Sequence, residues 1–415
     1  MSGVGYVLTH HPRASQTFID AELRAIERSG EHLTVFAMNE PAVAQIVGDD
    51  AIRWRATTVY LKAAGPRGAA AAAAHAVWRR PAALAGTTLL AMRTSARSPK
   101  ALMRRLAHLA EALIVWDRAR LDGVDRLHAH FAQAPSTIAW LACDLGRRTR
   151  QGPTSYSITI HGLGEMARPD EDLPAEKLAG ALVVRFVCDA ARRHFEQLGR
   201  AATTRVVRCG IDLDRFALRA ARPVGQPPRI LMVGRLTQAK GQRDAVHALS
   251  VMHRQGVAAE LALVGGGDDE DELRRIVGST RLTGAVHFLG ELPPTMVRDE
   301  LGRADALCLP SYDEGLPVAI IEALAVGCPV VATAIAGIPE LIVNGDSGRL
   351  IQAGDIAALA DALTKAVTDS PTRQRWITAG RAAVEAHHDQ QATLVEFLAL
   401  LEIAQAKSAT RSVRS

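Results

Sequence analysis

Two carboxylates, two cations and one histidine, all in or beside turns that contain glycine, are the residues of this chain best suited to chemistry. Pro310-Ser311-Tyr312-Asp313-Glu314-Gly315-Leu316-Pro317 joins a strand-like Leu307-Cys308-Leu309 to the helical spacing Val318, Ile321, Leu324, Ala325. Such a turn opens a helix at the carboxyl end of a parallel strand, where free N–H groups favour an anion and Gly315 lets the backbone come close to a ligand. Glu322, two helical turns beyond Glu314, projects toward the same side, so the pair can accept hydrogen bonds from two sets of hydroxyls on one extended ligand. Alternatively, Glu314 is a helix-terminus acid and Glu322 a solvated helix residue. The strand Ile230-Leu231-Met232-Val233 ends in Gly234-Arg235-Leu236-Thr237-Gln238-Ala239-Lys240-Gly241. The planar fork of Arg235 and the point charge of Lys240 suit a diphosphate, although exposed loops often carry such cations. Gly265-Gly266-Gly267 follows another strand without the GxGxxG spacing of a nicotinamide site, and it either cradles a phosphate or makes a tight turn. His161, at the end of Ser157-Ile158-Thr159-Ile160 and before Gly162, is placed to bond a ligand or to serve structure.

These residues need rigid elements behind them, and the sequence supplies an alternation of short β-type runs and helical stretches, the pattern of parallel sheets covered by helices. Candidate strands in the first half are 6–8, 33–37, 57–61, 126–129, 155–160, 182–187 and 204–208. Those in the second half are 229–233, 260–264, 286–289, 306–309, 329–332 and 349–351. Two such series are too many for one open sheet, so the fold class is α/β with two doubly wound, Rossmann-like domains. The proline-rich stretch 219–228 cannot join either sheet and predicts a boundary between domains 1–218 and 219–375. Helical spacing from Trp376 to Leu401 predicts a helix over 376–405 that returns to the first domain, and the basic tail 406–415 is expected to fray. The turn Thr9 to Phe18, with Ser15 and Thr17, should border the same interdomain cleft as His161.

The 415 residues are 48% hydrophobic and 22% charged, which excludes a disordered or fibrous chain. No apolar run is long enough for a membrane span. Met1 to Thr9 has neither a basic segment nor an Ala-x-Ala site, so no signal peptide is expected and a cytoplasmic location is. Five cysteines, Cys143, Cys188, Cys209, Cys308 and Cys328, form no CxxC pair and read as small buried apolar residues. Net charge is +5, yet eleven Lys or Arg and no acid occupy 51–110, leaving the remainder net negative. That stretch is either a solvated Arg-rich face or a surface for an anionic membrane, which would place the protein peripherally on the inner leaflet. With only Trp54, Tyr60 and Trp78 for stacking, nucleic acid is not expected as a partner.

Gly234-Arg235 with Lys240-Gly241, the Glu314 to Glu322 spacing, Pro310-Ser311 and Gly327-Cys328-Pro329-Val330-Val331-Ala332 together resemble the donor half of the retaining family 4 glycosyltransferases, which have the GT-B fold. Pro12-x-x-Ser15-x-Thr17-Phe18-Ile19, His128-Ala129-His130-Phe131, His161-Gly162 and Gly210-Ile211-Asp212 with Arg215-Phe216 resemble the exopolysaccharide branch, of colanic acid and amylovoran type. Gln16 departs from that branch, where Glu is expected, and the insert after Lys62 has no match. The resemblance implies a hexosyltransferase-type enzyme that moves a sugar from a UDP- or GDP-sugar to a glycan or lipid-linked glycan with retention of configuration. It implies catalytic roles for His161, Glu314, Arg235 and Lys240. Donor binding would fall to Gly234, Arg235, Lys240, Gly265, Gly266, Leu289, Glu314, Gly315, Leu316, Pro317, Val318 and Glu322. Glu322 would take the ribose, and the loop around Phe288 to Leu292 the base. Ser15, Thr17 and His130 would lie on the acceptor side. Two cations beside the departing diphosphate stabilise its growing charge, so no metal or other cofactor is expected.

Three features mimic metal sites. Asp212-Leu213-Asp214 has the DxD form of metal-dependent transferases but lies in the loop that, by resemblance, enters the second domain. His128 and His130, two apart on a strand, are expected to face opposite ways and not to share an ion. His10-His11 and His387-His388 lack nearby ligand partners. The rival readings are a GT-B nucleotide-sugar epimerase, or a silent nucleotide-sugar-binding subunit of a polysaccharide assembly complex.

Overall fold

The computed structural model describes residues 3–13, 16–42, 49–95, 98–219 and 227–412. Among the described residues thirteen strands form in chain order. The first seven are β1 (Gly3–His10), β2 (His32–Asn39), β3 (Val59–Tyr60), β4 (Val124–His130), β5 (Ser155–Ile160), β6 (Val184–Phe186) and β7 (Thr204–Val206). The others are β8 (Arg229–Val233), β9 (Glu260–Val264), β10 (Val286–Gly290), β11 (Ala306–Leu309), β12 (Val330–Thr333) and β13 (Arg349–Ile351). Each expected run contains a strand, although 57–61 shortens to Val59–Tyr60 between two helices and 182–187 to Val184–Phe186. Most are short apolar segments between turn residues, buried in a parallel sheet, whereas the edge strands β3 and β7 are only partly buried. They form two sheets, ordered β3-β2-β1-β4-β5-β6-β7 and β10-β9-β8-β11-β12-β13, and all the recorded strand pairs are parallel. In each the chain builds outward from a central strand and then restarts beside it, between β1 and β4 and between β8 and β11. Ligand crevices form at such switch points.

The chain folds as two compact units, one of residues 1–207 with 394–415 and the other of 208–393. The division therefore falls at Val207–Arg208 and not at 218/219. Ile211 and Phe216 are buried in the second unit, where Arg381 Nη1 donates to the carbonyls of Phe216 and Ala325, both at 2.7 Å. Pro227 and Pro228 follow after the chain has already joined that unit, and 220–226 of the expected boundary stretch lie outside the described residues. Two helices, Ser370–His387 and Gln390–Ser412, stand where one was expected over 376–405, and the second runs on through most of the supposed tail. Trp376 packs in the second core with Leu359 and Leu363, whereas Phe397, Leu400 and Leu401 fill the first core beside Tyr6, Leu8 and Leu23. The return to the first unit thus begins at Leu394.

The basic stretch folds into the helices Asp49–Thr57, Leu61–Arg79, Pro81–Arg93 and the start of Pro99–Leu121. Several of its cations meet acids from outside the stretch: Arg53 with Glu27, Arg55 with Glu40, Arg93 with Glu176 and Arg104 with Glu171. Arg105 is buried outright. All five cysteines are buried and none is joined in a disulfide among the described residues. No helix of the described residues is long and apolar enough to cross a membrane.

Candidate functional site

In the second unit the turns after β8 and β11, the two strands at the switch point, carry the predicted cations and carboxylates. Lys240 Nζ donates to Glu314 Oε1 at 2.7 Å, and Ser311 Oγ donates to the same oxygen at 2.8 Å. The Glu314 side chain is only 7% exposed and that of Lys240 21%, so the pair is largely withdrawn from water and its attraction is weakly screened. Tyr312 ties the two turns together, its N–H donating to Ala239 O and its hydroxyl to Asp244 Oδ2. Gly241, at φ +71°, lies so close to Pro310 that a Cβ would stand 2.2 Å from its carbonyl oxygen. Glycine is required there by backbone conformation and by space.

The third turn packs on the first. Gly234 N–H donates to Val264 O and Leu236 N–H to Gly266 O, both at 2.9 Å. At Gly265, φ +132°, a Cβ would stand 2.0 Å from Gly234 O, and at Gly267 one would stand 2.3 Å from Leu236 O, so these two glycines serve the close packing of the turns. Arg235 is exposed and its side chain has no partner among the described residues, which leaves its five donors free for a ligand. The helix Val318–Ala325 starts at Pro317 without a side-chain cap, and Gly315 O accepts from Gly337 N–H at 3.0 Å. Leu316 is buried beneath the turn.

Glu322 lies on that helix. Burial raises its carboxyl to about 7, against the opposing pull of Arg215. Leu289 lies inside β10 and not in a loop, and the Arg274 guanidinium sits 4.1 Å above the neighbouring Phe288 ring. Asp212 Oδ1 accepts from the N–H groups of Asp214 and Arg215, so the DxD-like triplet is a turn whose first acid caps its own backbone.

In the first unit the switch point is lined with histidines. His128 and His130 share one face of β4, their ring centroids 4.9 Å apart, which corrects the expectation that they diverge. Side chains alternate along a strand, so residues two apart point the same way. With Glu22 they bring three potential ligand atoms within 4.8 Å, but His128 Nδ1 and Nε2 are already bonded to Ser157 Oγ (2.7 Å) and Thr159 Oγ1 (3.0 Å). His130 is wholly buried, and its Nδ1 is 2.9 Å from His161 Nε2. His161 is only partly covered, and Glu165 holds its loop by accepting from the N–H groups of His161 (2.7 Å) and Ala132 (2.9 Å). Burial lifts the Glu165 carboxyl to about 7. Phe131, at φ +78°, is a strained residue at this site, its ring 5.0 Å from that of His161. Thr17 starts the helix Thr17–Arg28, and the next ring, Phe18, stands 4.9 Å from His161. Ser15 lies outside the described residues. Of the other histidines that might suggest a metal, His388 Nδ1 bonds Cys209 O and His11 is buried against Trp54.

The model of the family described as glycosyl transferases group 1 matches residues 214–383, which hold both turns. A phosphatidyl-myo-inositol mannosyltransferase of Mycobacterium leprae is 31% identical over 280 residues, 64% of this chain and 70% of that one. The chain belongs to the group 1 glycosyl transferases. An amylovoran biosynthesis glycosyltransferase of Erwinia amylovora is 36% identical over 203 residues, 48% of this chain, and the match spans about half the length of that relative, 50%. Among solved structures, sucrose-phosphate synthase of Thermosynechococcus elongatus superposes with TM-score 0.72 at 21% identity, covering 98% of this chain and all of that one. Anabaena HepE in complex with UDP-glucose gives 0.70 at 17% identity, over 99% and 100%. The architecture of this family member is GT-B: two Rossmann-like α/β units.

Sequence reasoning passed over several participants. Glu22 falls among the buried Ile19, Leu23 and Ile26 of an amphipathic helix, and Arg185 interrupts the apolar run 182–187. A charge at an apolar position of each pattern was the available signal. Ser311 and Arg215 were visible only as parts of family motifs, and Asp244 gave no signal.

Proposed function

We propose that this family member is a retaining glycosyltransferase of the hexosyltransferase type. It moves a sugar from a UDP- or GDP-sugar to a glycan or lipid-linked glycan during polysaccharide biosynthesis, without a metal ion. The observation that carries the reading is the joined Lys240–Glu314–Ser311 group at the β8/β11 switch point, with Arg235, exposed and without a side-chain partner among the described residues, on the same turn as Lys240. Breaking a sugar–phosphate bond builds negative charge on the diphosphate and positive character on the sugar. Arg235 and Lys240 stabilise the first; Glu314 and the N–H groups at the start of the helix Val318–Ala325 hold the sugar. Glu322, as a carboxylate, accepts the ribose hydroxyls, and His161 attends the reacting centre. The names of the amylovoran and phosphatidyl-myo-inositol relatives support a saccharide or lipid-borne acceptor. Exposed Leu89, Met92 and Met103 among the basic helices support a peripheral position on anionic lipid, tested by sedimentation with vesicles that contain or lack it.

The experiment is to incubate the protein with UDP-glucose, UDP-galactose and GDP-mannose, an oligosaccharide or lipid acceptor and EDTA, then follow release of nucleoside diphosphate and the anomeric proton of the product by NMR. Transfer with the donor's configuration, reduced about 100-fold or more by Glu314→Gln, is expected. Inversion, a requirement for a divalent ion, or release of an epimerised sugar without acceptor would overturn the corresponding part of the proposal.

A further inference from the structure

The first unit also holds a cluster of cations built around Arg105. A cavity of about 140 Å³ opens between the helix Pro99–Leu121, the start of the helix Ala134–Thr149 and the short helix Pro169–Asp172, all in that one unit. It has room for several water molecules. Arg105 lines it and is only 4% exposed. Its Nη2 donates to Glu171 O at 2.8 Å and to Thr94 O at 3.4 Å, and its guanidinium carbon lies 5.7 Å from the centre of the Trp140 ring. The buried Nη1 has no hydrogen-bond partner among the described residues, and no carboxylate among them pairs with this side chain. A guanidinium that meets only carbonyls keeps its full charge, and burying such a charge uncompensated is costly.

The surroundings do not supply the missing anion. Arg104 pairs with Glu171, and Arg168 approaches Glu171 (3.1 Å) and Asp172 (3.6 Å). Three guanidiniums thus share two carboxylates, which leaves one positive charge over. His108 adds none, because burial and then the charges of Arg105, Lys177 and Arg104 push its imidazole down to about 4. The Lys177 side chain is committed to Ala132 O (2.7 Å), Thr137 Oγ1 (3.1 Å) and Asp172 O (2.5 Å). The helix Ala134–Thr149 begins at the cavity without a side-chain cap, so the positive end of its dipole adds to the excess. Asp172 Oδ2, buried and without a hydrogen-bond partner, is left to accept from a hydroxyl.

We propose that this cavity binds the phosphate group of an amphiphilic, hydroxylated molecule, with Arg105 Nη1 as the central donor and Asp172 on a hydroxyl. Arginine suits the tetrahedral oxyanion because its planar fork gives two donors at once. The apolar part has a place to lie: Met103 (67% exposed) is two residues from Arg105, and Met92 (48% exposed) ends the helix whose following residue, Thr94, bonds Arg105. Gln133 lines the cavity two residues from Phe131, whose ring stands 5.0 Å from that of the partly exposed His161. A phosphate here therefore keeps the rest of its molecule within reach of His161. That this molecule is the sugar acceptor rests on the proposed glycosyl transfer; the phosphate site does not.

The test is calorimetric titration of the full chain with glycerol phosphate and with its mono-octanoyl ester, at constant ionic strength, repeated on Arg105→Met and Lys240→Met. The proposal expects one-to-one binding of both compounds to the unmodified protein, tighter for the ester. Affinity should fall about tenfold or more in Arg105→Met, the usual worth of a charge-assisted hydrogen bond, and stay unchanged in Lys240→Met, whose cation belongs to the other unit. Binding of neither compound to the unmodified protein overturns the proposal, and that result needs no variant to fold. So does binding that Arg105→Met leaves unchanged or that Lys240→Met abolishes. If Arg105→Met does not fold, Arg104→Gln at a partly exposed position removes the excess charge instead and should weaken binding by a similar factor; unchanged affinity there overturns the proposal as well. Equal affinity for the two compounds would make this a site for free phosphate esters and overturn the amphiphilic ligand. With a lipid diphosphate-linked acceptor, Arg105→Met should raise the acceptor KM about tenfold at unchanged kcat and unchanged affinity for the nucleoside diphosphate; an unchanged KM would overturn the acceptor role. If no sugar is transferred at all, the glycosyl-transfer reading fails while the titrations still decide the phosphate site.

Discussion

Removing the Lys240 ammonium should weaken the second unit before any ligand is considered. Lys240 Nζ and Glu314 Oε1 are 2.7 Å apart, which at an effective dielectric constant of about 20 corresponds to a gross attraction of ~6 kcal/mol. Desolvation of two largely covered charges offsets most of that. Deleting one member of a buried pair typically costs about 3–5 kcal/mol, because the survivor is left uncompensated. Lys240 keeps some contact with water and Ser311 still donates to Glu314, so Lys240→Met should cost about 2 kcal/mol. For a unit of this size that lowers Tm by about 4–8 °C. Glu314→Gln removes the charge that Lys240→Met strands, so the double variant should be more stable than the sum of the single losses implies, by about 1–2 kcal/mol. Thermal and urea unfolding of the four proteins measures this coupling. Strict additivity within about 0.3 kcal/mol would refute the claim that the two charges form one cooperating group.

Glu322 gives a pH signature. Its folded carboxyl is raised to about 7, so its contribution to stability is complete below the unfolded value near 4.5 and is lost as pH rises through 7. Glu322→Gln should therefore be relatively more stable against the unmodified protein at pH 8 than at pH 5 in urea titrations, and a constant difference would contradict the assignment. Because only the carboxylate accepts two hydroxyls without a proton of its own, nucleotide affinity should rise from pH 6 to pH 8, and calorimetry on Glu322→Gln should find that rise reduced. Gly241→Ala forces a Cβ to 2.2 Å from Pro310 O at φ +71°, so it should cost roughly 2 kcal/mol or more and weaken nucleotide binding; unchanged unfolding would show that the two turns are not locked together. Arg185→Met strands the buried Glu22 carboxylate and should cost about 3–5 kcal/mol in chemical denaturation, whereas Arg200→Met, whose partner Asp170 is exposed, should cost under 1 kcal/mol.

The strands were legible because a parallel sheet buried on both faces demands short apolar runs, and the central runs such as 230–232, 261–264, 306–309 and 330–332 satisfy that demand, while the edge run 204–206, with Arg205 exposed, was legible mainly from its place in the alternation. The donor-side turns were legible too, since Gly241 and Gly265 mark close backbone approaches that leave no room for a Cβ. The extent of the units was not. Proline at 223, 227 and 228 says where a sheet cannot continue, but membership of a unit is decided by which core buries Ile211, Phe216 and Phe397, a long-range matter. The histidine face of β4 was legible in principle from the two-residue strand period, and the expectation failed by misapplying that period. The buried Arg185–Glu22 pair joins residues 163 apart in sequence, and only the topology brings them together.

The central claim is that the turns after β8 and β11 bind the diphosphate of a nucleotide sugar. Calorimetric titration of the protein with UDP, GDP and ADP, repeated on Lys240→Met, tests it directly. The account predicts that one of the three binds with a one-to-one stoichiometry and that its affinity falls about 10- to 100-fold in the variant, the usual worth of a charge-assisted hydrogen bond. Binding of none of the three to folded protein, or binding that Lys240→Met leaves unchanged, would contradict it.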